Sequence, residues 1–211
     1  MMMIAMKVLY VLTAGYTVIH HIVRGDYLLA LLGPAALLFL LIPLIVRRLF
    51  KIRLPEKLFC FLLFFIFIAF ELGVALRLYD AISWLDIVAH LFSGGIITLL
   101  GLCFYAVLSK KPCALGQSGT VLPVLFAFCF SQALAVLWEV YEFVGYLLTG
   151  HDAQHTLTTG VFDTMEDLIC CILGSVLTAL LYILSVRRKR ALFPIGLAVE
   201  FEEQNGLAET Q

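Results

Sequence analysis

Apolar residues run along this chain in long blocks, separated by short polar or charged punctuation. The blocks cover approximately residues 3–23, 27–46, 57–79, 84–108, 121–149 and 164–186. A helix of about 20 mostly apolar residues crosses roughly 30 Å of hydrocarbon, and blocks of this length exceed any strand. The pattern therefore predicts an all-α integral membrane protein, a bundle of six transmembrane helices. Pro34 and Pro43 should kink the second span. The first block has a single early Lys7 and no clear small-x-small cleavage site, which favours a span over a signal peptide. No internal repeat or linker interrupts the pattern, so residues 1–190 read as one six-helix transmembrane domain. Residues 191–211 (ALFPIGLAVEFEEQNGLAETQ) read as a short acidic cytoplasmic tail, expected to be disordered.

Composition supports the membrane reading. Hydrophobic residues make up 63% of the chain and charged residues 14%, against roughly 25% charged in soluble domains. The net charge of -1 is uninformative because the signs are segregated along the chain. Of fourteen basic residues, twelve fall on one side of the predicted topology: Lys7, the run from Arg47 to Lys57, Lys110 and Lys111, and Arg187 to Arg190. Only Arg24 and Arg77 fall on the other. The positive-inside rule then predicts that both termini are cytoplasmic. The six cysteines lie mostly inside apolar runs without CxxC spacing, and read as small packing residues rather than disulfides or zinc ligands.

The same topology collects acids in the outer half of the bilayer. At 1.5 Å per residue, Glu71 lies about 13 Å below the outer end of span three. Glu142 and Glu139 lie roughly 10 and 15 Å below the outer end of span five. Asp86 and His90 open span four, and Asp163 and Asp167 open span six. Asp86–His90 and Asp163–Asp167 are four apart and Glu139–Glu142 three apart, so each pair shares a helix face. Gly94 and Gly174 continue two of these faces and should let backbones approach. A mid-span carboxylate costs about 2.5–3.5 kcal/mol on insertion scales, and only His90 and Arg77 offer nearby positive charge. Packing does not need so many acids. The expected site is an outward-facing pocket formed by Asp86, His90, Glu139, Glu142, Asp163 and Asp167, with Glu71 as the least constrained member. An oxygen-rich set with one imidazole favours magnesium, manganese or calcium over zinc. Gln132 and Tyr146 are expected to make interhelical hydrogen bonds, and Trp138 to pack. His151 and His155 are expected in a solvated loop. His20 and His21 should snorkel or cap at the interface.

Three stretches in order, "DIVAHLFSGG", "ALAVLWEVYEF" and "DTMEDLICCILG", resemble the YjdF-type family of bacterial inner-membrane proteins, more distantly VanZ-like proteins. The likeness covers roughly residues 70–180. Gly160 and Phe162 stand where that pattern carries an acid and a tryptophan. The resemblance implies a multi-pass protein of the bacterial cytoplasmic membrane, and its VanZ side hints at the cell envelope.

Three functional classes follow. The first is a metal-assisted hydrolase or phosphotransferase acting on an envelope lipid or lipid-linked phosphate at the outer leaflet, with Asp86, His90 and Glu139 catalytic and His90 as general base. "DTMED" resembles half of the CDP-alcohol phosphotransferase aspartate motif, but its other elements are missing. Neither G-x-S-x-G nor H-E-x-x-H occurs. The second is a proton- or cation-coupled transporter, weakened by the absence of an inverted repeat. The third is a non-catalytic accessory protein. The bilayer is the expected partner, with no role for nucleic acid.

Overall fold

The structure, a computed structural model, describes the backbone of residues 2–150 and 152–207 and most of their side chains. The expectation for His151 lies outside these residues. Among the described residues there are helices and no strands. Six helical stretches are long and apolar enough to cross a membrane: Met3–Arg24, Tyr27–Phe50, Glu56–Ala75, Trp84–Ser109, Val121–Leu148 and Phe162–Arg188. The chain divides into two compact units, Met1–Asp86 and Ile87–Gln211.

The first unit holds three spans. Helix α1 is Met2–Arg24. The second span is broken into α2 (Tyr27–Ala30), α3 (Leu32–Leu38), a 3-10 turn (Phe39–Leu41) and α4 (Ile42–Phe50). The breaks fall at Ala30 and Phe39, each four residues ahead of a proline, where a carbonyl has lost its usual amide donor. The third span starts as α5 (Glu56–Ile66) and widens into a π-helix, Phe67–Ala75, which nothing in its apolar sequence announces. Short helix α6 (Leu78–Ala81) follows. Tyr10, Phe59 and Leu63 form the buried core of this unit, and the Tyr10 hydroxyl donates to the Leu63 carbonyl at 2.7 Å.

The second unit is built on three long helices: α7 (Ser83–Ser109), α8 (Val121–Thr149) and α10 (Phe162–Arg188), with the single turn α9 (Thr156–Thr159) before α10. The division between units falls one turn inside α7. Small residues set the spacing of these helices. A Cβ on Gly94 would strike the backbone of Cys171, one on Gly174 the backbone of Leu91, and one on Gly101 the backbone of Ala127. Such contacts are how membrane helices gain packing where lipid removes the hydrophobic drive.

The terminal segment departs from the expectation of disorder. Residues Ile195–Gln204 form α11, which buries Ile195, Leu197, Ala198 and Phe201. The Glu202 carboxylate accepts the amides of Cys113 and Ala114 at 2.8 and 2.9 Å. Tyr182 of α10 donates to the Cys113 carbonyl at 2.7 Å, and Ser185 accepts the Leu192 amide at 3.0 Å. The tail's acids hid the apolar face that packs there.

Candidate functional site

Asp86 and His90 stand one turn apart on continuous helix α7, so the helix itself sets them side by side. Asp167, one turn inside α10, completes a group in which a carboxylate oxygen, an imidazole nitrogen and a second carboxylate oxygen all lie within 4.8 Å of one another. His90 Nε2 is 3.7 Å from Asp167 Oδ2. The other ring nitrogen, Nδ1, meets the thiol of Cys171 at 3.7 Å. That thiol also donates to the His90 carbonyl and touches the Ser93 hydroxyl at 3.4 Å. One ring nitrogen is thus fixed by a neighbour while the other faces an acid, the division that orients imidazoles toward a cation.

Immediately deeper, the Gly94 carbonyl acts as a hub. It accepts the hydroxyls of Thr98 at 2.8 Å, Ser131 at 3.0 Å and Ser175 at 3.2 Å. The Ser175 and Ser131 hydroxyl oxygens are 3.0 Å apart, and Gln132 donates to Ser175 at 2.9 Å, as expected of an interhelical bond. Three helices are pinned at this level, so the residues above them are held by a rigid floor.

Glu139 sits on the buried stripe of α8, four residues above Ala135 and eight above Ser131. Its side chain is 6% exposed. Oε2 accepts from Gln154 at 3.0 Å, and Gln154 also donates to the Glu139 carbonyl. Oε1 is buried and makes no well-formed hydrogen bond, with the Thr164 hydroxyl close to the carboxylate. Asp163 lies within electrostatic reach of Glu139. Glu139 also borders a groove of about 500 Å³ with Gln154 and Thr164, under an apolar wall of Val136, Val140 and Phe143.

The other expected members have their own neighbours. Glu142 accepts the Trp138 indole N–H at 2.9 Å on a partly exposed face. Trp138 thus donates a hydrogen bond and also packs, its ring centroid 5.3 Å from that of Tyr141. Glu71 belongs to the first unit, where Thr17 of α1 lies against it. Of the two expectations for His21, capping rather than snorkelling holds, at the last residue of the π-helix. The His21 ring is buried, and Nε2 meets the Ala75 carbonyl at 2.7 Å. His155 is exposed, as expected, and precedes α9 with a φ of 49°.

Sequence reasoning missed Gln154 and Cys171. Gln154 comes from a loop, where helical spacing says nothing. Cys171 carried a usable signal, since it lies four residues after Asp167 and so on the same face.

No solved structure matches the chain. An uncharacterized protein of Thermotoga maritima is 30% identical over 135 residues, which are 63% of this chain and 65% of that protein. The chain thus spans just under two thirds of this relative's length. A family model matches residues 2–188, nearly the whole helical bundle, and the chain belongs to that family, the predicted membrane proteins DUF2238.

Proposed function

We propose that this polytopic membrane protein binds a divalent cation through Asp86, His90 and Asp167 and uses it on a phosphate-bearing envelope lipid. The supporting observation is the meeting of two carboxylates and one imidazole within 4.8 Å. Hard oxygen ligands with a single nitrogen suit magnesium, manganese or calcium, and three protein ligands leave coordination positions for water and substrate. A cation there would neutralise charge on a phosphoryl oxygen. An imidazole engaged on a cation is not also a base. General-base work therefore passes from His90 to Glu139, a carboxylate that lines the groove beside Gln154 and Thr164. The apolar wall of that groove lies on a span, where an acyl or polyprenyl chain would enter from the bilayer. Asp163 adds negative charge beside Glu139 and helps to hold its proton once taken. Both termini in the cytoplasm would set the site toward the outer leaflet of the bacterial cytoplasmic membrane, in keeping with the YjdF-type and VanZ-like resemblance.

The test is manganese titration of the purified, chelator-treated protein, followed by phosphate release from phosphatidic acid and a polyprenyl diphosphate in mixed micelles. The expected result is one manganese site, lost in Asp86→Asn and Asp167→Asn, with cation-dependent release that Glu139→Gln abolishes while manganese still binds. No binding at millimolar manganese would leave His90 and Asp167 as a plain ion pair and overturn the proposal.

A further inference from the structure

In the first unit, α1 runs alongside the third span in the same direction, and polar groups form three rungs between them. Tyr10 meets the Leu63 carbonyl, Thr17 lies against Glu71, and His21 meets the Ala75 carbonyl. The middle rung is unusual. Glu71 is 0% exposed, and neither carboxyl oxygen makes a well-formed hydrogen bond, the Thr17 hydroxyl being its polar neighbour. The Thr17 hydroxyl and His21 Nδ1 are also buried without a well-formed hydrogen bond. These groups are enclosed by protein, not merely by lipid.

An acid in this place is costly. A buried carboxylate without a partner loses its hydration and gains nothing in return, which a bound proton avoids. A leucine would serve packing better. Glu71 also stands inside the π-helix Phe67–Ala75, a widening of the backbone that recurs at functional sites. Further polar groups stand on the same face of α1. His21 is one turn beyond Thr17, and its Nδ1 is 4.0 Å from Asp26 Oδ2, a side chain 49% exposed. With Nε2–H donated to the Ala75 carbonyl, Nδ1 is the basic nitrogen and faces Asp26. Titratable groups along this stretch of the π-helix are Tyr10 of α1, which acts on Glu71, His21 of α1, which meets the Ala75 carbonyl, and Tyr79 of α6, whose ring covers Gly73. Helix α3 carries none.

We propose that Glu71 is a proton-binding site, loaded from the membrane surface through Asp26, His21 and Thr17. A hydronium ion at Asp26 protonates His21 Nδ1 and leaves water; the Thr17 hydroxyl then gives its own proton to the Glu71 carboxylate and takes the His21 proton in its place, and release reverses the order. No oxidant, reductant or metal takes part, and the inference stands apart from the divalent-cation reading.

Infrared spectroscopy of the protein reconstituted in bilayers tests it. A protonated-carboxyl C=O band should be present and should be missing in Glu71→Gln. Should that variant fail to fold, Glu71→Asp should shift the band. On a switch to heavy water the band should move to its deuterated position, and Thr17→Val, which keeps shape and removes the hydroxyl, should slow that move by an order of magnitude or more. His21→Asn should slow it as well. Three results would overturn the proposal: no band that depends on Glu71, a band that never exchanges, or exchange as fast in both variants as in the native chain.

Discussion

Two carboxyls outside the bilayer respond to their surroundings in opposite directions. For Asp152, slight burial raises the pKa. The Leu157 amide, the Thr156 hydroxyl and amide, and nearby His155 outweigh it and hold the group below the usual range. For Glu202, burial raises the pKa, and the amides of Cys113 and Ala114 offset only part of that. The signs follow by linkage. The Asp152 contribution is present above the ordinary aspartate value of about 3.9 and is lost as pH falls through the depressed one. The Glu202 contribution is fullest below the ordinary glutamate value of about 4.3 and declines as pH rises through the raised one. Helix α11 should therefore dock most tightly in mild acid. Amide exchange across 195–204, corrected for intrinsic rate, should show protection falling as pH rises, and Glu202→Gln should flatten that trend. Equal slopes in both proteins would count against it.

Among elements, the approach of α7 to α10 decides whether the candidate cation group exists. Gly94→Ala places a methyl against the backbone of Cys171, which cannot rotate away. Overpacking of this kind typically costs about 1–3 kcal/mol, and a backbone obstacle favours the upper end. Thermal unfolding should move down accordingly, and manganese binding should weaken as Asp167 is pushed from His90. Gly145, whose added Cβ meets nothing within 4 Å, is the control and should tolerate alanine. The span limits were legible because charged or proline-bearing turns punctuate the apolar runs. The Asp86–His90 pair and Asp167 were legible because helical spacing alone puts acids on a face. Spacing does not foretell that the indole four residues before Glu142 donates to its carboxylate. The π-helix was invisible too, because its apolar residues fit an α-helix equally well.

At the scale of the molecule, the charge asymmetry predicts topology. Cysteines introduced singly at Gln117 and Thr158, both exposed, report the two faces. A membrane-impermeant thiol reagent on intact cells should label the Thr158 cysteine and spare the Gln117 one until the membrane is opened. The reverse pattern would invert the bundle and put the candidate cation site on the cytoplasmic face. Six spans were readable because hydrocarbon thickness fixes helix length, whereas the packing of α11 depends on partners far away in sequence.

That distant pairing bears on how the protein is made. The amides of Cys113 and Ala114 leave the ribosome well before Glu202, which follows Cys113 by 89 residues. Through all of that interval the turn after α7 lacks its protein acceptor, and only water can serve two donors that end up buried. The second unit is therefore completed late in synthesis, when α11 reaches back to close it. Nascent chains stalled before residue 202 should carry an open turn that proteases and chaperones can recognise, and the arrival of one glutamate should end that exposure.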